Sequence, residues 1–128
     1  MPRVAAFLCL LLTACVDETI SGWSDPSTIW HLEKIDGRAV DFPATIAFPS
    51  EGVARGEGPC NAFRARQTEV YPWFGIDGLT ATRRACPALA EERAFFEALG
   101  SMTLAEATAR VLILSDGAGG AMVFRATR

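Results

Sequence analysis

Four cysteines and a single histidine are the side chains of this 128-residue chain best suited to chemistry. Cys9 lies in an apolar N-terminal run, Cys15 lies three positions after the end of that run, and Cys60 and Cys86 are 26 positions apart in the remainder. Such a set is compatible with acylation of a thiol, a disulfide, metal binding or nucleophilic catalysis by a thiolate. A zinc site needs further ligands, and none are grouped near His31. We therefore predict no metal site and no cofactor.

The N-terminus has the order of residues expected of an export signal. Met1-Pro2-Arg3 carries a positive charge, residues 4–12 form an unbroken apolar run, and the small pair Thr13-Ala14 precedes Cys15. This order is typical of a secretory signal peptide and is too short to span a bilayer as a helix. It also resembles a bacterial lipoprotein signal, in which the cysteine takes a diacylglyceryl group and becomes the first mature residue. We predict a signal over residues 1–14 and lipid attachment at Cys15; the alternative is an ordinary signal with an accidental cysteine.

The lipid on Cys15 is the only membrane anchor that the sequence predicts. No second long apolar run follows it, and two or three acyl chains are enough to hold a protein stably on a bilayer. An aspartate directly after the cysteine is the familiar signal for retention, and Val16 stands there instead, with Asp17 one position later. By analogy, this favours a cell-envelope protein at the outer membrane, facing the periplasm.

Export also bears on the two remaining cysteines. Cys60 and Cys86 form an even pair in a compartment where disulfides form and persist. Closing this loop stabilises a fold by about 3.5 kcal/mol in the chain-entropy model. A disulfide is therefore predicted, with free buried thiols or a two-thiol metal site as alternatives. A thiol nucleophile would need His31 as its base, yet a lone histidine in an alternating strand is usually a half-exposed sheet residue.

Charge and length restrict the class of protein. Removal of the signal leaves a chain the size of one domain. The net charge is −3 for the whole chain, and loss of Arg3 makes it more negative. Nucleic acid is therefore excluded as a partner, since phosphate binding needs a basic face. A monomer is expected.

Residues 15–28 are polar and contain glycine and proline, which predicts a flexible tether in which Ile20 and Trp23 are scattered exposed residues. The folded domain is predicted over residues 29–128. Alternating apolar residues and turn signals predict strands over 29–35, 45–48, 53–57, 63–71, 73–76, 79–82, 103–107, 110–114 and 122–124. Asp36-Gly37 and Asp77-Gly78 are predicted hairpin turns.

One segment has helical periodicity instead. Pro87 suits a first helical position and Gly100 suits a terminator. The apolar residues between them fall on one face, and this face is expected to be core: Leu89, Phe95, Phe96, Leu99 and Met102. The predicted class is α+β, with a small curved antiparallel β-sheet or half-barrel packed against one α-helix.

Several of these segments together resemble the META domain, found in the HslJ-like lipoproteins. The segment from Gly56 to Phe63 is similar to the family motif Gly-x-x-Gly-Cys-Asn-x-aromatic. The resemblance extends, in the right order, to Trp30-x-Leu32, Thr82-Arg83-Arg84-Ala85-Cys86-Pro87, Glu92-x-x-Phe95-x-x-x-Leu99 and Val123-Phe124-Arg125. It implies an antiparallel β-structure with one helix, in a cell-envelope protein often linked to stress or drug tolerance, and it implies no catalytic mechanism.

The recurrent residues Cys60, Asn61, Arg83 and Cys86 have structural explanations. Asn61 tolerates a left-handed backbone and bonds to neighbouring backbone groups, and the planar donor fork of Arg83 suits carboxylates or strand-end carbonyls. A structural role is favoured over a binding site. The expected function is that of a non-enzymatic envelope lipoprotein, without catalytic residues, that binds an envelope protein or a small apolar ligand or serves stress tolerance. The alternative is a small thiol enzyme using Cys60 or Cys86 with His31.

Overall fold

Alternating apolar residues build a curled antiparallel sheet, whose inner face carries the core. The computed structural model describes residues 14–127. The strands are β1 (Ile29–Ile35), β2 (Arg38–Ala39), β3 (Thr45–Ser50), β4 (Val53–Glu57), β5 (Ala62–Gln67), β6 (Ile76–Ala81), β7 (Leu104–Ala107), β8 (Val111–Ser115) and β9 (Ala121–Thr127); the helices are α1 (Ile20–Trp23) and α2 (Leu89–Ser101). The strand order is β6-β5-β4-β3-β1-β9-β8-β7, with β2 paired to β1. The predicted α+β class with a curved antiparallel half-barrel is confirmed.

The core lies between the concave side of the sheet and α2. Along β5, exposed and buried side chains alternate without a break, as a half-buried strand requires. Phe63 on β5 meets Phe95 and Phe96 of the helix in edge-to-face contacts, with ring centroids 5.8 and 5.3 Å apart. The largest fully buried side chains are Trp30, Phe48, Phe95, Phe124, Ile20, Ile46, Leu99, Leu112, Leu114 and Met122.

The predicted helix is present, but its ends are displaced. It begins at Leu89, two residues after the predicted first position Pro87, and ends at Ser101, one residue after Gly100. The start is delayed because Cys86 is bonded to Cys60, which holds the preceding segment in a turn where the Leu89 N–H donates to the Cys86 carbonyl.

The predicted hairpin turn at Asp77-Gly78 is wrong. These two residues lie inside the single strand β6, where the pairing with β5 shifts register between Arg64 and Arg66. Gly78 has a φ of +61°, a left-handed conformation that serves an irregularity in the strand as well as a turn. By contrast, Asp36-Gly37 forms the predicted turn, and both of its residues have positive φ.

The segment before β6 closes the gap between the two edge strands of the sheet. Trp73 forms an isolated antiparallel bridge with Leu104 of β7. The Phe74 N–H donates to the Thr103 carbonyl at 2.9 Å, and the Ala105 N–H donates to the Pro72 carbonyl at 2.8 Å. Backbone groups of the edge strand β7 are thereby satisfied.

The N-terminal segment packs on the domain over part of the predicted tether. Ile20 is only 1% exposed and joins the core through contacts of α1 with β3 and β7, so the prediction that Ile20 is exposed is wrong. The Tyr71 N–H donates to the Glu18 carbonyl at 2.9 Å, which fixes the segment from the other side. Trp23 is exposed, as expected. The predicted signal peptide lies outside the described residues except for Ala14.

Asp17 holds this segment in its turn. Its carboxylate accepts hydrogen bonds from the Thr19 N–H at 2.8 Å, from the Thr19 hydroxyl at 2.6 Å and from the Ser21 hydroxyl. Partial burial raises the pKa of Asp17, but the bonds from Ser21 and Thr19 outweigh it and lower the pKa below its ordinary value. The charged form of Asp17 therefore stabilises the folded segment.

Asp17→Ala is expected to weaken the packing of the N-terminal segment by about 1–2 kcal/mol at neutral pH, since charged hydrogen bonds are lost. Because the folded pKa is lowered, the difference from the wild type should be complete above the ordinary aspartate range and disappear as the pH falls through the folded value. Hydrogen exchange of the Tyr71 N–H measures it, with Glu18→Gln as the control. A difference that is independent of pH would contradict the role of the charge.

Candidate functional site around Asn61 and the disulfide

The predicted disulfide between Cys60 and Cys86 is confirmed. Their Cα atoms are 5.7 Å apart, within the usual range for such a bond. The bond ties the loop between β4 and β5 to the segment between β6 and α2. Three of the sequence-predicted residues, Cys60, Asn61 and Cys86, therefore lie in one cluster at the N-terminal end of α2.

Glu92 of α2 is the centre of this cluster. Its side chain is 4% exposed. Oε2 accepts from the backbone N–H groups of Cys60 at 2.8 Å and Asn61 at 2.7 Å, and Oε1 accepts from Nδ2 of Asn61 at 2.7 Å. Hydrogen bonds from neutral donors thus replace the water that a buried carboxylate loses, and they fix the loop against the helix.

Asn61 uses both ends of its side chain to join three segments. Its Oδ1 accepts from the Arg84 N–H at 2.6 Å and from the Thr82 hydroxyl at 3.0 Å. Its Nδ2 donates to Glu92 and also to the Arg84 carbonyl at 3.1 Å. Since the buried amide is satisfied on both sides, the predicted structural role of Asn61 agrees with its environment better than a ligand-binding role does.

Gly58 lies two residues before Cys60, where the loop passes close to Glu92. A Cβ atom at this position would lie 2.6 Å from Oε2 of Glu92, closer than a real Cβ atom approaches an oxygen. The Gly58 N–H donates to the Asn61 carbonyl at 2.8 Å, which completes the turn. The close approach of this loop to the buried carboxylate therefore requires a residue without a side chain.

Arg83 behaves differently from Asn61. It is exposed, and within residues 14–127 its guanidinium makes no hydrogen bond or ion pair, so the predicted bridge to a carboxylate or a strand-end carbonyl does not form there. The backbone of the neighbouring Arg84, in contrast, bonds to the Asn61 amide.

The thiol-enzyme alternative needs a free thiol beside His31. Both sulfur atoms of Cys60 and Cys86 are bonded to each other, and His31 lies on β1 with its Nε2 within 2.6 Å of the Thr127 hydroxyl on β9. Cys15 is the one free cysteine of the described residues, and it is exposed. No group of three or more potential metal-binding side chains occurs within residues 14–127.

The role of Glu92 was not predicted from the sequence, in which this residue was noted as part of the family pattern. Its position three residues before Phe95 and seven before Leu99 puts it on the buried face of α2. An acidic residue on the apolar face of a helix indicates that hydrogen-bond donors from another part of the chain bind its carboxylate in the core.

A second feature is a groove of about 550 Å³ on the outer face of β1, β3, β4 and β5. Its lining combines small or apolar residues with three polar side chains: Ile29, Thr45, Ala47, Gly56, Ala62 and Phe63, with His31, Arg55 and Glu57. The groove is within the size range of small-molecule sites. A Cβ atom at Gly56 would lie 2.0 Å from the Thr45 carbonyl oxygen, so β3 and β4 can pair this closely only with glycine there.

None of the helices in residues 14–127 has the length and apolar character needed to cross a membrane.

Solved structures with a similar fold come from different bacteria. A DUF4847 family protein from Bacteroides vulgatus is 15% identical with a TM-score of 0.61, and the match covers 78% of this chain and 92% of that one. A protein from Burkholderia xenovorans, solved by NMR, is 21% identical with a TM-score of 0.66 and 99% coverage of both chains. Identities this low show a likeness of fold alone. No curated protein matches this chain in sequence.

The family model of the META domain matches residues 25–128, which is most of the chain and includes the Asn61 cluster and the groove. The chain therefore belongs to the META domain family.

Proposed function

We propose that this META domain protein is a non-enzymatic lipoprotein of the cell envelope, held by lipid on Cys15 at the outer membrane and facing the periplasm. The observation that carries the proposal is the state of the cysteines. Cys60 and Cys86 are bonded to each other, whereas Cys15, which follows the apolar run and the small pair Thr13-Ala14, is exposed and free. Disulfides persist in exported proteins, and the pairing leaves one thiol at the place where the signal predicts acylation.

Cys15→Ser is expected to abolish the incorporation of labelled palmitate and to release the protein from the membrane fraction, because the acceptor thiol is gone. Cys9→Ser is the matched control: it removes a thiol six positions earlier, inside the predicted signal, and should leave labelling unchanged. Membrane fractions separated by density would locate the wild-type protein. A Cys15→Ser protein that stays membrane-bound and labelled would contradict the lipid anchor.

Within this proposal, the groove on the outer face of the sheet is the surface that binds a small, partly apolar envelope molecule. Ile29 and Ala47 supply apolar contact, and His31, Arg55 and Glu57 supply polar groups that orient a ligand. The Asn61 cluster holds one wall of the groove, since Ala62 and Phe63 follow Asn61 directly.

A photoreactive residue tests the groove in the intact envelope. Placed at Ala62, which is exposed and lines the groove, it should capture a discrete molecule on irradiation. The same residue placed at Ala39, exposed on β2 and outside the groove, should not capture it. Equal capture at both positions, or none at Ala62, would speak against this binding surface.

A further inference from the structure

We propose that the end of the domain next to Cys15 rests on the bilayer, with Trp23 and Trp73 inserted at the membrane interface. We call this surface the tryptophan patch and define it by Val16, Trp23, Val70 and Trp73. The inference rests on the proposed lipidation of Cys15 and adds an orientation to it: the lipid and the patch together hold one fixed end of the domain against the membrane.

The exposed apolar side chains are concentrated in the tryptophan patch. The large exposed apolar residues of the described chain are five, and all but Ile29 belong to the patch: Val16 is 74% exposed, Trp23 64%, Val70 49% and Trp73 60%. Scattered apolar residues are normal on a surface, but a concentration in two neighbouring segments marks a contact site.

A contact between aromatic rings brings the segment of Trp23 and the segment of Trp73 together. The ring of Trp23 stacks on Tyr71, with centroids 5.1 Å apart and planes inclined by 22°. Val70 precedes Tyr71 directly and Trp73 follows it by two positions. The patch is therefore built around Tyr71, whose hydroxyl is held in turn by the Ala107 N–H at 3.2 Å.

The position of the lipid anchor on Cys15 indicates that a membrane covers the tryptophan patch. The Glu18 carbonyl accepts from the Tyr71 N–H, so the chain is fixed to the patch three residues after Cys15. Three residues span at most about 11 Å when fully extended. A lipid on Cys15 therefore brings the headgroup region of the bilayer to the patch itself, and a tether long enough to separate them is lacking.

The residue types agree with this occupant. Tryptophan favours the interface between headgroups and acyl chains, where its ring is apolar and its N–H remains hydrated. Neither residues 14–28 nor residues 68–75 contain lysine or arginine, whereas four residues in these ranges are acidic: Asp17, Glu18, Asp25 and Glu69. The contact is therefore expected on vesicles of neutral lipid and gains nothing from anionic headgroups.

Quenching by brominated lipid tests the patch. The full chain is produced as the lipidated protein, purified in detergent and reconstituted into phosphatidylcholine vesicles with or without bromine on the acyl chains. Bromine quenches only tryptophans in contact with the chains, so Trp23 and Trp73 should lose most of their emission. The Trp23→Phe/Trp73→Phe double variant retains only Trp30, which is buried in the core, and its emission should be unchanged.

The outcomes separate the two proposals. A protein that incorporates palmitate and floats with the vesicles, yet has equal emission in both kinds of vesicle, contradicts the patch while leaving the lipid anchor intact. A protein that takes up no palmitate and does not float contradicts the lipid anchor, and the proposed orientation falls with it. The single variants Trp23→Phe and Trp73→Phe should each retain part of the quenching, which shows that both rings reach the lipid.

Discussion

Glu92→Ala is expected to destabilise the domain by about 4 kcal/mol, the largest effect of any single polar substitution in the described residues. The substitution removes the acceptor of three hydrogen bonds: those from the N–H groups of Cys60 and Asn61, and one of the two from Nδ2 of Asn61, which keeps its bond to the Arg84 carbonyl. Each buried donor without a partner costs about 1–3 kcal/mol, and the space left by the side chain adds to this. Urea unfolding, followed by circular dichroism, measures the loss.

Two further variants separate the carboxylate from its position on the helix. Glu92→Gln keeps the shape but offers one oxygen and one NH₂ group where two oxygens accept, so an intermediate loss of about 2 kcal/mol is expected. Glu91→Ala changes an exposed neighbour in the same turn and should alter the stability by less than about 0.5 kcal/mol. If Glu92→Gln were as stable as the wild type, the acceptor role of the carboxylate would be wrong.

Removal of the disulfide by Cys60→Ala/Cys86→Ala is expected to cost about 3.5 kcal/mol, since the unfolded chain regains the freedom of a loop closed over 26 positions. Denaturant unfolding with and without reductant measures it. The wild type in reductant should fall to the stability of the double variant, and the double variant should not respond to reductant.

Thiol titration controls this prediction. In the unreduced, denatured wild type, neither Cys60 nor Cys86 should react, whereas both should react after reduction. Two reactive thiols at these positions before reduction would contradict the disulfide. Because Glu92 binds the N–H of Cys60, the losses from Glu92→Ala and from removal of the disulfide should be less than additive when combined.

The strands with strict alternation could be predicted from the sequence almost to the residue. Residues 29–35 and 53–57 match β1 and β4, because Trp30 and Leu32 of β1 and Ala54 of β4 are buried in the same core between exposed or half-buried neighbours. Asp77-Gly78 could not be assigned by the same means. A dipeptide with left-handed glycine suits both a hairpin turn and an irregular strand, and the pairing of β6 with β5, distant in the chain, decides between them.

The burial of Ile20 could not be predicted from the local sequence pattern either. A short polar segment with one isoleucine has no periodicity, and its place is decided by the opening between β3 and β7, which only the folded sheet creates. The prediction that Ile20 is exposed thus failed because the tertiary structure supplied a burial site for this single side chain.

The residues of the candidate site could likewise be predicted from the sequence only in part. Its cysteines and Asn61 could be recognised because cysteine pairing and the family motif depend on residue type. Glu92 could not be connected to them, because its three donors come from a loop about thirty positions earlier. Arg83 shows the converse: its residue type suits a bridge to an acceptor, yet it lies exposed and its guanidinium has no partner within residues 14–127.

Mass spectrometry of the N-terminal peptide of the protein isolated from membranes tests the lipid anchor most directly. The account predicts a mature chain that begins at Cys15, carries a diacylglyceryl group on its sulfur, and contains Cys60 and Cys86 linked in one pair of peptides. A mature chain that begins elsewhere, or that begins at Cys15 with an unmodified thiol, would contradict it.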